Sequence, residues 1–541
     1  MSPDSIELAV AAILLALFLA WPRMAPRAAN FAKKTAWCML TLAILPIALR
    51  LILLARDPAP IPGTADDMSY LLLADTLRHL RLANPPHPFA RFFETNFVLQ
   101  APTYTSIFPL GQGIALALGR ILFGAGWAGV LLSEGIFCSL CYWMLRAWIS
   151  PGWALAGGVL AAMEFGPLSY WMNSYWGGAV SGIAGCLVFG ALPRRNGWLL
   201  GLGLGLQLLS RPFEFVLLLI AVGAWALAVF GKHAGLQPRI LARAALAFAP
   251  ALLLTLAHNH AVTGSWTTLP YQVSRDQYGV PATFTFQPNP RPHRDLSQEE
   301  RDDYEAQSII HDREARLPFA TRLVRRLRYA RFFFLPPLYL ALPFFLLQRR
   351  LTPILIPIAV FAIGTTFYPY FYPHYLAAIA CLLLLAIVGG LEMLSQWSVP
   401  AALAVYLVAT AHFAFWYGVN SFASGDTLAA ILPYETSDYL NHGDPEGRLP
   451  VLKRLSDSPG KQLVFVSFSR SHPLREWIGN EADIDASRVV WALDLGRDEN
   501  EKLRQYYSDR TAWLLEPDDH PPRLQPYAQT LGIHFEPVPA P

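Results

Sequence analysis

Apolar segments long enough to cross a membrane recur along the first four-fifths of this 541-residue chain. A segment of about 20 apolar residues spans the hydrocarbon core of a bilayer. The pattern predicts membrane helices near 5–22, 36–55, 128–148, 153–171, 174–192, 213–230, 243–260, 332–347, 353–367, 374–394 and 398–418. Two shorter stretches, 110–124 and 198–210, leave the number of membrane helices between eleven and thirteen. The expected fold class is therefore an α-helical polytopic membrane protein.

The composition agrees with this fold class. Hydrophobic residues make up 54% of the chain and charged residues only 15%, and the mean hydropathy is +0.33. These values are too apolar for one large soluble domain. The net charge of +3 reflects basic residues that orient the helices in the membrane, so no nucleic-acid partner is expected.

Lysine and arginine collect at 23–34, 194–195, 232–243 and 349–350, and short cytoplasmic loops hold an excess of these residues. This rule places the polar loops on the other side of the membrane, together with everything after residue 418. Thirteen crossings from an outside N-terminus would leave the C-terminus inside. We therefore interpret 110–124 as a short or re-entrant helix.

Three regions follow along the chain. Residues 1–35 are an extra N-terminal helix with its cytoplasmic loop; this helix has acidic residues before it and basic residues after it, so we interpret it as retained and not as a cleaved signal. Residues 36–419 form the main membrane domain, with outer loops at 56–108 and 261–331. Residues 420–541 are expected to form a small extracytoplasmic α/β domain.

Two patterns support the soluble parts of this division. Buried strands are predicted at 462–468, 489–495 and 511–515, with a helix at 498–507. In the second outer loop, Ser297 followed by Glu300 is the signature of a helix N-terminus and predicts a helix to Arg316.

The pair Asp66 and Asp67 opens the polar stretch of the first outer loop. Thr64 followed by two acidic residues is how many helices begin, because the hydroxyl caps the first turn and carboxylates favour the positive end of the helix dipole. Capping alone could explain both carboxylates. The pair also lies just above the membrane surface, where a general base could meet a lipid-borne substrate. The residues leave both interpretations open.

Further polar and aromatic residues are expected near the same face and are candidates for substrate binding. They are Tyr70, His87, Glu94, Gln112, Tyr175, Arg211, His374 and Tyr375. A charge at mid-membrane costs about 2.5–3.5 kcal/mol, so Arg211 either pairs with Glu214 or points at a lipid phosphate. His374 is either a structural hydrogen-bonding residue or a group that binds phosphate and moves protons.

No metal site is predicted from the cysteines. All five lie in apolar segments. Cys138 and Cys141 form a C-x-x-C pair, but no histidine or second pair is close to them in sequence, so they are expected to be packing residues.

The order of these motifs resembles a known family, the C-type glycosyltransferases. The motifs are the acidic pair after an early helix, the helical outer loop, Phe-Pro-Leu-Gly-Gln at 108–112, a basic residue midway and Tyr-Pro-His-Tyr at 372–375. The chain looks similar to the bacterial branch related to protein O-mannosyltransferases and to the aminoarabinose transferase of lipid A. The resemblance covers roughly residues 36–394.

This resemblance implies transfer of a sugar from a polyprenyl-phosphate donor to an acceptor in the cell envelope, which could be a glycan, a lipid or a protein. It places the protein in the bacterial inner membrane, in contact with membrane lipid. The catalytic base of the family would be Asp66 or Asp67, and we expect Asp66, although the usual Asp-Glu pair is Asp-Asp here. Arg211 and His374 would stabilise the leaving phosphate. The resemblance also allows a divalent cation, held by Asp67, His87 or Glu94.

The alternative is a lipid or glycolipid transporter, in which Arg211, Glu214, Glu134 and Glu164 would line a path through the bilayer. No pair of related halves is visible in the sequence, and the polar residues gather on one face. The enzyme hypothesis requires Asp66, Gln112, Arg211 and His374 to converge.

Overall fold

The protein is an α-helical polytopic membrane protein with a small α/β domain at its C-terminal end. The computed structural model describes residues 1–230, 237–328, 336–423, 444, 446–470, 472, 473 and 475–527. The helices up to the second outer loop are α1 (Pro3–Ala32), α2 (Thr35–Leu53), α3 (Ala65–Arg78), α4 (Leu110–Phe123), α5 (Gly126–Leu145), α6 (Pro151–Glu164), α7 (Tyr170–Asn173), α8 (Ala179–Arg194), α9 (Gly197–Ser210), α10 (Pro212–Phe230) and α11 (Pro238–Thr263).

The second outer loop and the last membrane helices follow. They are α12 (Pro270–Tyr278), α13 (Gln298–Arg316), α14 (Phe319–Arg328), α15 (Leu342–Leu347), α16 (Leu355–Gly364), α17 (Ala377–Trp397) and α18 (Val399–Phe422). Helix α13 begins at the predicted place, with the reciprocal Ser297 and Glu300 capping bonds. The first residues of the predicted helix 332–347 lie outside the described part of the chain.

Within the described residues, seven helices are long and apolar enough to span a membrane, namely α1, α2, α5, α10, α11, α17 and α18. The predicted helices at 332–347 and 353–367 form a pair of short helical segments bent by 118°. The predicted helix 153–171 ends at Glu164 because Gly166 and Pro167 follow, and proline cannot continue the hydrogen-bond ladder.

Helix α4 has both of its ends on the same side of the molecule. Near its start, Gln112 donates to the Tyr175 carbonyl at 2.8 Å. Near its end, Arg120 pairs with Asp75 at 2.9 Å, and Asp75 in turn contacts the C-terminal domain at Ala482. We call this side the site face. A 14-residue helix placed in this way agrees with the expectation that 110–124 is short or re-entrant.

Basic residues gather at the opposite end of the helix bundle. Arg146 donates to the Ala32 carbonyl at 3.1 Å, Arg194 donates to the Trp143 carbonyl at 2.8 Å, and Arg350 lies 3.8 Å from Glu392. The bundle therefore has one basic end and one end that carries the polar outer loops.

Helices α5, α8 and α17 form the centre of the bundle. Their close approach depends on small residues, as is common between membrane helices. A Cβ atom at Gly185 of α8 would lie 1.9 Å from the Ala378 carbonyl of α17. The thiols of Cys138, Cys141 and Cys186 are fully buried in this centre, as expected for packing residues.

The C-terminal domain consists of α19 (Arg448–Asp457), β3 (Lys461–Val466), β4 (Val489–Leu493), α20 (Arg497–Tyr506), β5 (Arg510–Glu516) and β6 (Arg523–Pro526). Its strand order is β4-β3-β5-β6, with β6 antiparallel to its neighbour and the other pairs parallel. A short hairpin in the first outer loop, β1 (Val98–Leu99) and β2 (Thr105–Ser106), packs under this domain through Tyr104. The predicted strands and the predicted helix all form.

Candidate active site

Helix α3 holds the predicted acidic pair in its first turn. Thr64 caps the helix by accepting from the Asp67 N–H at 3.2 Å, and the Asp67 carboxylate accepts from the backbone of Thr64 in return. Asp67 also accepts from Gly63 at 3.3 Å, from the Thr64 hydroxyl at 2.9 Å and from the Tyr175 N–H at 2.9 Å. Burial raises the pKa of Asp67, and these donors oppose that rise. Both oxygens of Asp67 are therefore engaged in holding the backbone.

Asp66 has a different environment although it is the next residue. Its carboxylate makes no hydrogen bond or ion pair with another residue in the described part of the chain. Burial raises the pKa of Asp66 to about 7, with further contributions from Asp67 and Asp303, while Arg211 acts in the opposite direction. A carboxylate with a pKa near the ambient pH is suited to accept a proton. Of the two aspartates, only Asp66 has oxygens available for a substrate.

Arg211 lies at the break between α9 and α10, where Pro212 begins a new helix. Its guanidinium is 3.5 Å from Glu214 and sits over the ring of Tyr375, 5.1 Å from the centroid. Its charge also acts on Asp66 and on Tyr70. Arg211 thus forms the predicted pair with Glu214, and the alternative, that it points at a lipid phosphate, stays a prediction.

His374 is held by the hydroxyl of Tyr170. That hydroxyl accepts the backbone N–H of His374 at 3.1 Å and lies 3.0 Å from the ring atom Nδ1. The Tyr170 hydroxyl therefore holds both the backbone and the ring of His374 in place. The charge of Arg211 also acts on this ring.

Aromatic rings surround these polar groups. Tyr70 stacks on Phe108 with centroids 4.3 Å apart, and the ring of Trp176 lies 5.0 Å from that of His374. Tyr375 lies 4.7 Å from His374. We call the group formed by Asp66, Tyr70, Arg211, His374 and Tyr375 the Asp66 cluster.

Gln112 and Tyr175 support the cluster without entering it. The Gln112 amide donates to the carbonyl of Tyr175, the N–H of Tyr175 donates to Asp67, and the Tyr175 hydroxyl donates to the Pro60 carbonyl at 3.0 Å. This chain of hydrogen bonds fixes the first turn of α3 against α4. Of the four residues on which the enzyme hypothesis depends, Asp66, Arg211 and His374 belong to the Asp66 cluster, and Gln112 is joined through Tyr175 to Asp67, the neighbour of Asp66.

Asp303 is a further carboxylate that the sequence did not single out. It lies on α13 and acts electrostatically on Asp66 and Tyr370. Burial raises the pKa of Asp303 to about 6, and a hydrogen bond from Gln307 at 2.8 Å opposes the rise. In the sequence Asp303 follows Asp302 in a run of charged residues, so nothing local distinguishes the carboxylate that faces the site. Tyr271 of α12 was also missed, because only the folded second outer loop brings it within the electrostatic reach of Arg211 and Asp66. Trp176 adjoins the predicted Tyr175, and Tyr368 begins the turn that contains His374.

His87 and Glu94 lie elsewhere, which corrects their prediction as members of one binding site. His87 Nε2 lies 3.1 Å from Asp485 and 3.1 Å from the Tyr507 hydroxyl, both in the C-terminal domain. Glu94 pairs with Arg294 of the second outer loop. The physical reason is the length of the polar stretch in the first outer loop. Its later residues, His87 and Glu94, lie away from the Asp66 cluster and bind the C-terminal domain and the second outer loop.

The positions of His87 and Glu94 also decide whether the suggested ligands could bind a divalent cation. Asp67, His87 and Glu94 are each engaged with different partners and do not come together. Within the described ranges, no group of three or more His, Cys, Asp or Glu side chains has an arrangement that could hold a metal ion. The residues suggested as ligands do not fit that role.

Of the four residues of the transporter alternative, Arg211, Glu214 and Glu134 have contacts that can be compared. Arg211 and Glu214 belong to the site face, and the Tyr368 hydroxyl is 3.4 Å from Glu214. Glu134 is fully buried in the helix centre, where it accepts from the Cys138 thiol at 3.4 Å. The contacts of these residues do not outline one path through the bundle.

Comparison with known proteins gives a likeness to solved structures only, since no family model and no curated protein matches the chain. An oligosaccharyltransferase of Archaeoglobus fulgidus, in a complex with Zn and sulfate, has 12% identity and a TM-score of 0.44; the match covers 88% of this chain and 67% of that one. The archaeal oligosaccharyltransferase AglB of the same organism, with an inhibitory peptide and a dolichol-phosphate, has 12% identity and a TM-score of 0.42 over 89% and 69% of the two chains.

Proposed function

We propose that this protein is a membrane glycosyltransferase that moves a sugar from a polyprenyl-phosphate donor to an acceptor on the outer side of the membrane. One observation carries the proposal: the carboxylate of Asp66 has no hydrogen-bond or ion-pair partner among the described residues and lies within the electrostatic reach of Arg211, whose guanidinium sits over Tyr375 beside His374. A base and a cation are the two groups that displacement at a sugar phosphate needs. The C-type glycosyltransferase resemblance of the sequence supports the donor class.

Asp66 is the general base of the proposed reaction. Its carboxylate takes the proton from the acceptor hydroxyl, and the acceptor oxygen forms a bond to the anomeric carbon of the donor sugar. The bond from that carbon to the phosphate oxygen breaks, and its electron pair leaves with the polyprenyl phosphate. The pKa of Asp66, raised to about 7 by burial and the neighbouring carboxylates, makes the group a stronger base than an ordinary aspartate.

Arg211 and His374 stabilise the leaving phosphate. A guanidinium forms strong, charge-assisted hydrogen bonds to phosphate oxygens. We assign to His374 the tautomer in which the Tyr170 hydroxyl donates to Nδ1 and the imidazole proton lies on Nε2, so that Nε2–H adds a neutral donor. Both groups act on negative charge that develops as the bond breaks, which is where electrostatic stabilisation lowers the barrier most.

The proposed location is the inner membrane of a bacterium, with the site face and the C-terminal domain outside the cytoplasm. The gathering of Arg146, Arg194 and Arg350 at the opposite end of the bundle supports this orientation, because basic residues favour the cytoplasmic side.

Transfer assays with the purified protein test the proposal. A radiolabelled sugar on a polyprenyl-phosphate donor is offered with membrane acceptors to the wild type, Asp66→Asn, Asp67→Asn and the control Asp302→Asn. Asp66→Asn is expected to lose transfer by at least about a thousandfold while remaining folded, since the amide keeps the shape and removes the base. Asp302→Asn is expected to keep it.

The outcomes separate the candidates. Full transfer by Asp66→Asn would contradict the assignment of the base, and loss confined to Asp67→Asn would move the role to that residue. Absence of transfer from every lipid-linked donor by the wild type would favour the transporter.

A further inference from the structure

Helix α14 of the second outer loop turns its basic side toward the protein. Arg326 is buried, and its guanidinium donates to the Thr365 carbonyl at 3.1 Å and to the Tyr368 carbonyl at 2.7 Å. Arg322 donates to the carbonyl of Glu314 at 3.2 Å. The polar side of α14 is therefore bound by the protein, which is the reverse of an ordinary surface helix, whose apolar side packs inward.

The apolar side of α14 points outward as a result. Phe319, Leu323 and Leu327 recur every four residues, so they lie along one side of the helix, and Val324 adjoins them. Leu323 is half-buried, whereas Phe319, Val324 and Leu327 are 42%, 48% and 54% exposed. We call these four residues the α14 face. An exposed apolar face of this kind marks a site of contact with a membrane or with another protein.

The α14 face lies at the level of the membrane surface. Residues Thr352–Phe367 form the second half of the bent helical pair that is apolar enough to lie in the membrane. This half begins next to the basic end of the bundle, so Thr365, which holds α14, lies near its end on the site face. The ring of Phe367 lies 6.3 Å from that of Phe319 and 5.3 Å from that of Phe286, which is 63% exposed. The apolar surface therefore continues from α14 onto the end of a membrane segment.

Arginines without partners lie beside the α14 face. Residues 315–328 contain five arginines and no acidic residue. Arg316 and Arg328 are exposed, and neither makes a hydrogen bond or an ion pair with another residue in the described part of the chain. Arg328 follows Val324 by one turn of the helix. A guanidinium forms strong, directed hydrogen bonds to phosphate oxygens, so these side chains suit an anionic head group.

The charge of this region identifies the class of partner. A helix with one apolar side and arginines beside it is typical of helices that lie in the plane of a membrane with acidic lipids. A second copy of the chain would bring the same arginines to the contact and would be repelled. A zwitterionic lipid would cover the apolar residues but would bring no net negative charge to Arg316 and Arg328.

We propose that α14 lies in the plane of the membrane surface and binds acidic phospholipids of the leaflet on the site face. The α14 face inserts between the acyl chains, and Arg316 and Arg328 form hydrogen bonds with the lipid phosphates. These lipids belong to the bulk membrane and are distinct from the proposed sugar donor, so the lipid contact is independent of the function proposed above.

Spin labels on the full-length protein in lipid nanodiscs test the depth of α14. The nanodiscs contain phosphatidylcholine and phosphatidylglycerol in equal parts. Labels are attached to Val324→Cys, Leu327→Cys and the control Leu449→Cys, an exposed leucine on α19. The native cysteines are buried and do not compete for the label. We expect the labels at 324 and 327 to be relaxed by oxygen, which concentrates in the acyl region, and to be shielded from a water-soluble nickel chelate. The label at 449 is expected to show the reverse.

Photocrosslinking identifies the head group. Phosphatidylglycerol and phosphatidylcholine that carry the same photoactivatable group are compared by counting adducts on segment 316–328 with mass spectrometry. Arg328→Gln is expected to reduce the phosphatidylglycerol adducts about fivefold, the contribution of one arginine near an acidic membrane surface. Arg328→Lys keeps the charge and is expected to retain most of them. Arg497→Gln, which removes an exposed arginine of the C-terminal domain, is the control and is expected to change nothing.

Results of two kinds would overturn the proposal. Labels at 324 and 327 that the nickel chelate reaches would place the α14 face in water, and labels that neither reagent reaches would show that another segment of this chain or a second copy covers it. Equal adduct yields from the two lipids, or phosphatidylglycerol adducts that Arg328→Gln leaves unchanged, would contradict an acidic lipid. None of these measurements requires sugar transfer, so a failure of the proposed glycosyltransferase function would leave their outcome unaffected.

Discussion

The two sides of α3 carry carboxylates in opposite circumstances. On the side of the Asp66 cluster, Asp66 has no partner among the described residues, and burial and the neighbouring carboxylates raise its pKa to about 7. On the side of the C-terminal domain, burial would also raise the pKa of Asp75. There the Ala482 N–H, Arg78 and Arg120 outweigh burial and hold the pKa below its ordinary value.

This difference separates a reactive group from a structural one. A buried charge that is fully hydrogen-bonded fixes the elements around it, whereas one that lacks partners is costly and is retained where chemistry needs it. Asp75 joins α3 to α4 and to the C-terminal domain, and the Glu476 N–H donates to the Gly63 carbonyl at the other end of α3. The C-terminal domain thus holds both ends of the helix whose other side presents Asp66.

After Asp66→Asn, the largest effect is expected on the reactive side, from Arg211→Gln. Removing a charge that stabilises the developing phosphate is expected to lower kcat by about a hundredfold to a thousandfold. Arg211→Lys keeps the charge without the planar fork and is expected to retain part of the activity. Transfer kinetics with both variants measure this. Equal kcat values for wild type and Arg211→Gln would remove Arg211 from the reaction.

The next effect is expected on the structural side, from Asp75→Asn. Loss of the charged hydrogen bonds is expected to lower the stability of the docked C-terminal domain by about 2 kcal/mol, with a much smaller change in kcat than for Asp66→Asn. Thermal unfolding of the two variants measures this, with the exposed Asp498→Asn as control. A stability equal to that of wild type would show that Asp75 does not hold the domain.

The pH dependence of that docking follows from the direction of the shift. Because the pKa of Asp75 is lowered in the folded protein, its contribution is complete above the ordinary aspartate pKa. The contribution is lost as the pH falls through the lowered value. Wild type is therefore expected to lose stability in acid, and Asp75→Asn is expected to lose less.

Much of the fold could be predicted because it follows from local patterns. The Ser297 capping box and the three strands of the C-terminal domain formed as the sequence indicates. The site is less predictable because it depends on contacts between distant segments. Nothing in the sequence around Asp66 and Asp67 shows that the Asp67 carboxylate accepts a hydrogen bond from the Tyr175 N–H, 108 residues away. Nor does it show that the Asp66 carboxylate has no such partner.

The same limit explains His87 and Asp303. His87 belongs to the first outer loop, yet its partner Asp485 is 398 residues away, so only the folded C-terminal domain reveals its role. Asp303 and Asp302 are equivalent in the sequence, and the orientation of α13 decides which one faces Asp66. Helix positions can be derived from periodicity, whereas the rotation of an outer-loop helix against the membrane domain cannot.

A smaller effect is expected from Tyr170→Phe. The variant removes the hydroxyl that orients His374, so the imidazole no longer holds its proton on Nε2 in a fixed position. A loss of about tenfold in kcat is expected, since one neutral hydrogen bond contributes about 1 kcal/mol and its geometry is also lost. Tyr406→Phe, which removes a hydroxyl bonded to Ala156, is the control. Equal losses in the two variants would indicate a general packing effect.

Asp303→Asn is expected to have the smallest effect on the transfer rate. It tests most directly whether Asp303 acts on the pKa of Asp66. The negative charge of Asp303 contributes to the raised pKa of Asp66, so its removal is expected to lower that pKa. The base is then deprotonated at lower pH, and the acidic limb of the transfer rate moves toward lower pH. Asp302→Asn, one residue away, is expected to leave the limb in place. A limb that stays fixed in Asp303→Asn would separate Asp303 from Asp66, and a limb that moves upward would contradict the assignment of Asp66 as the titrating base.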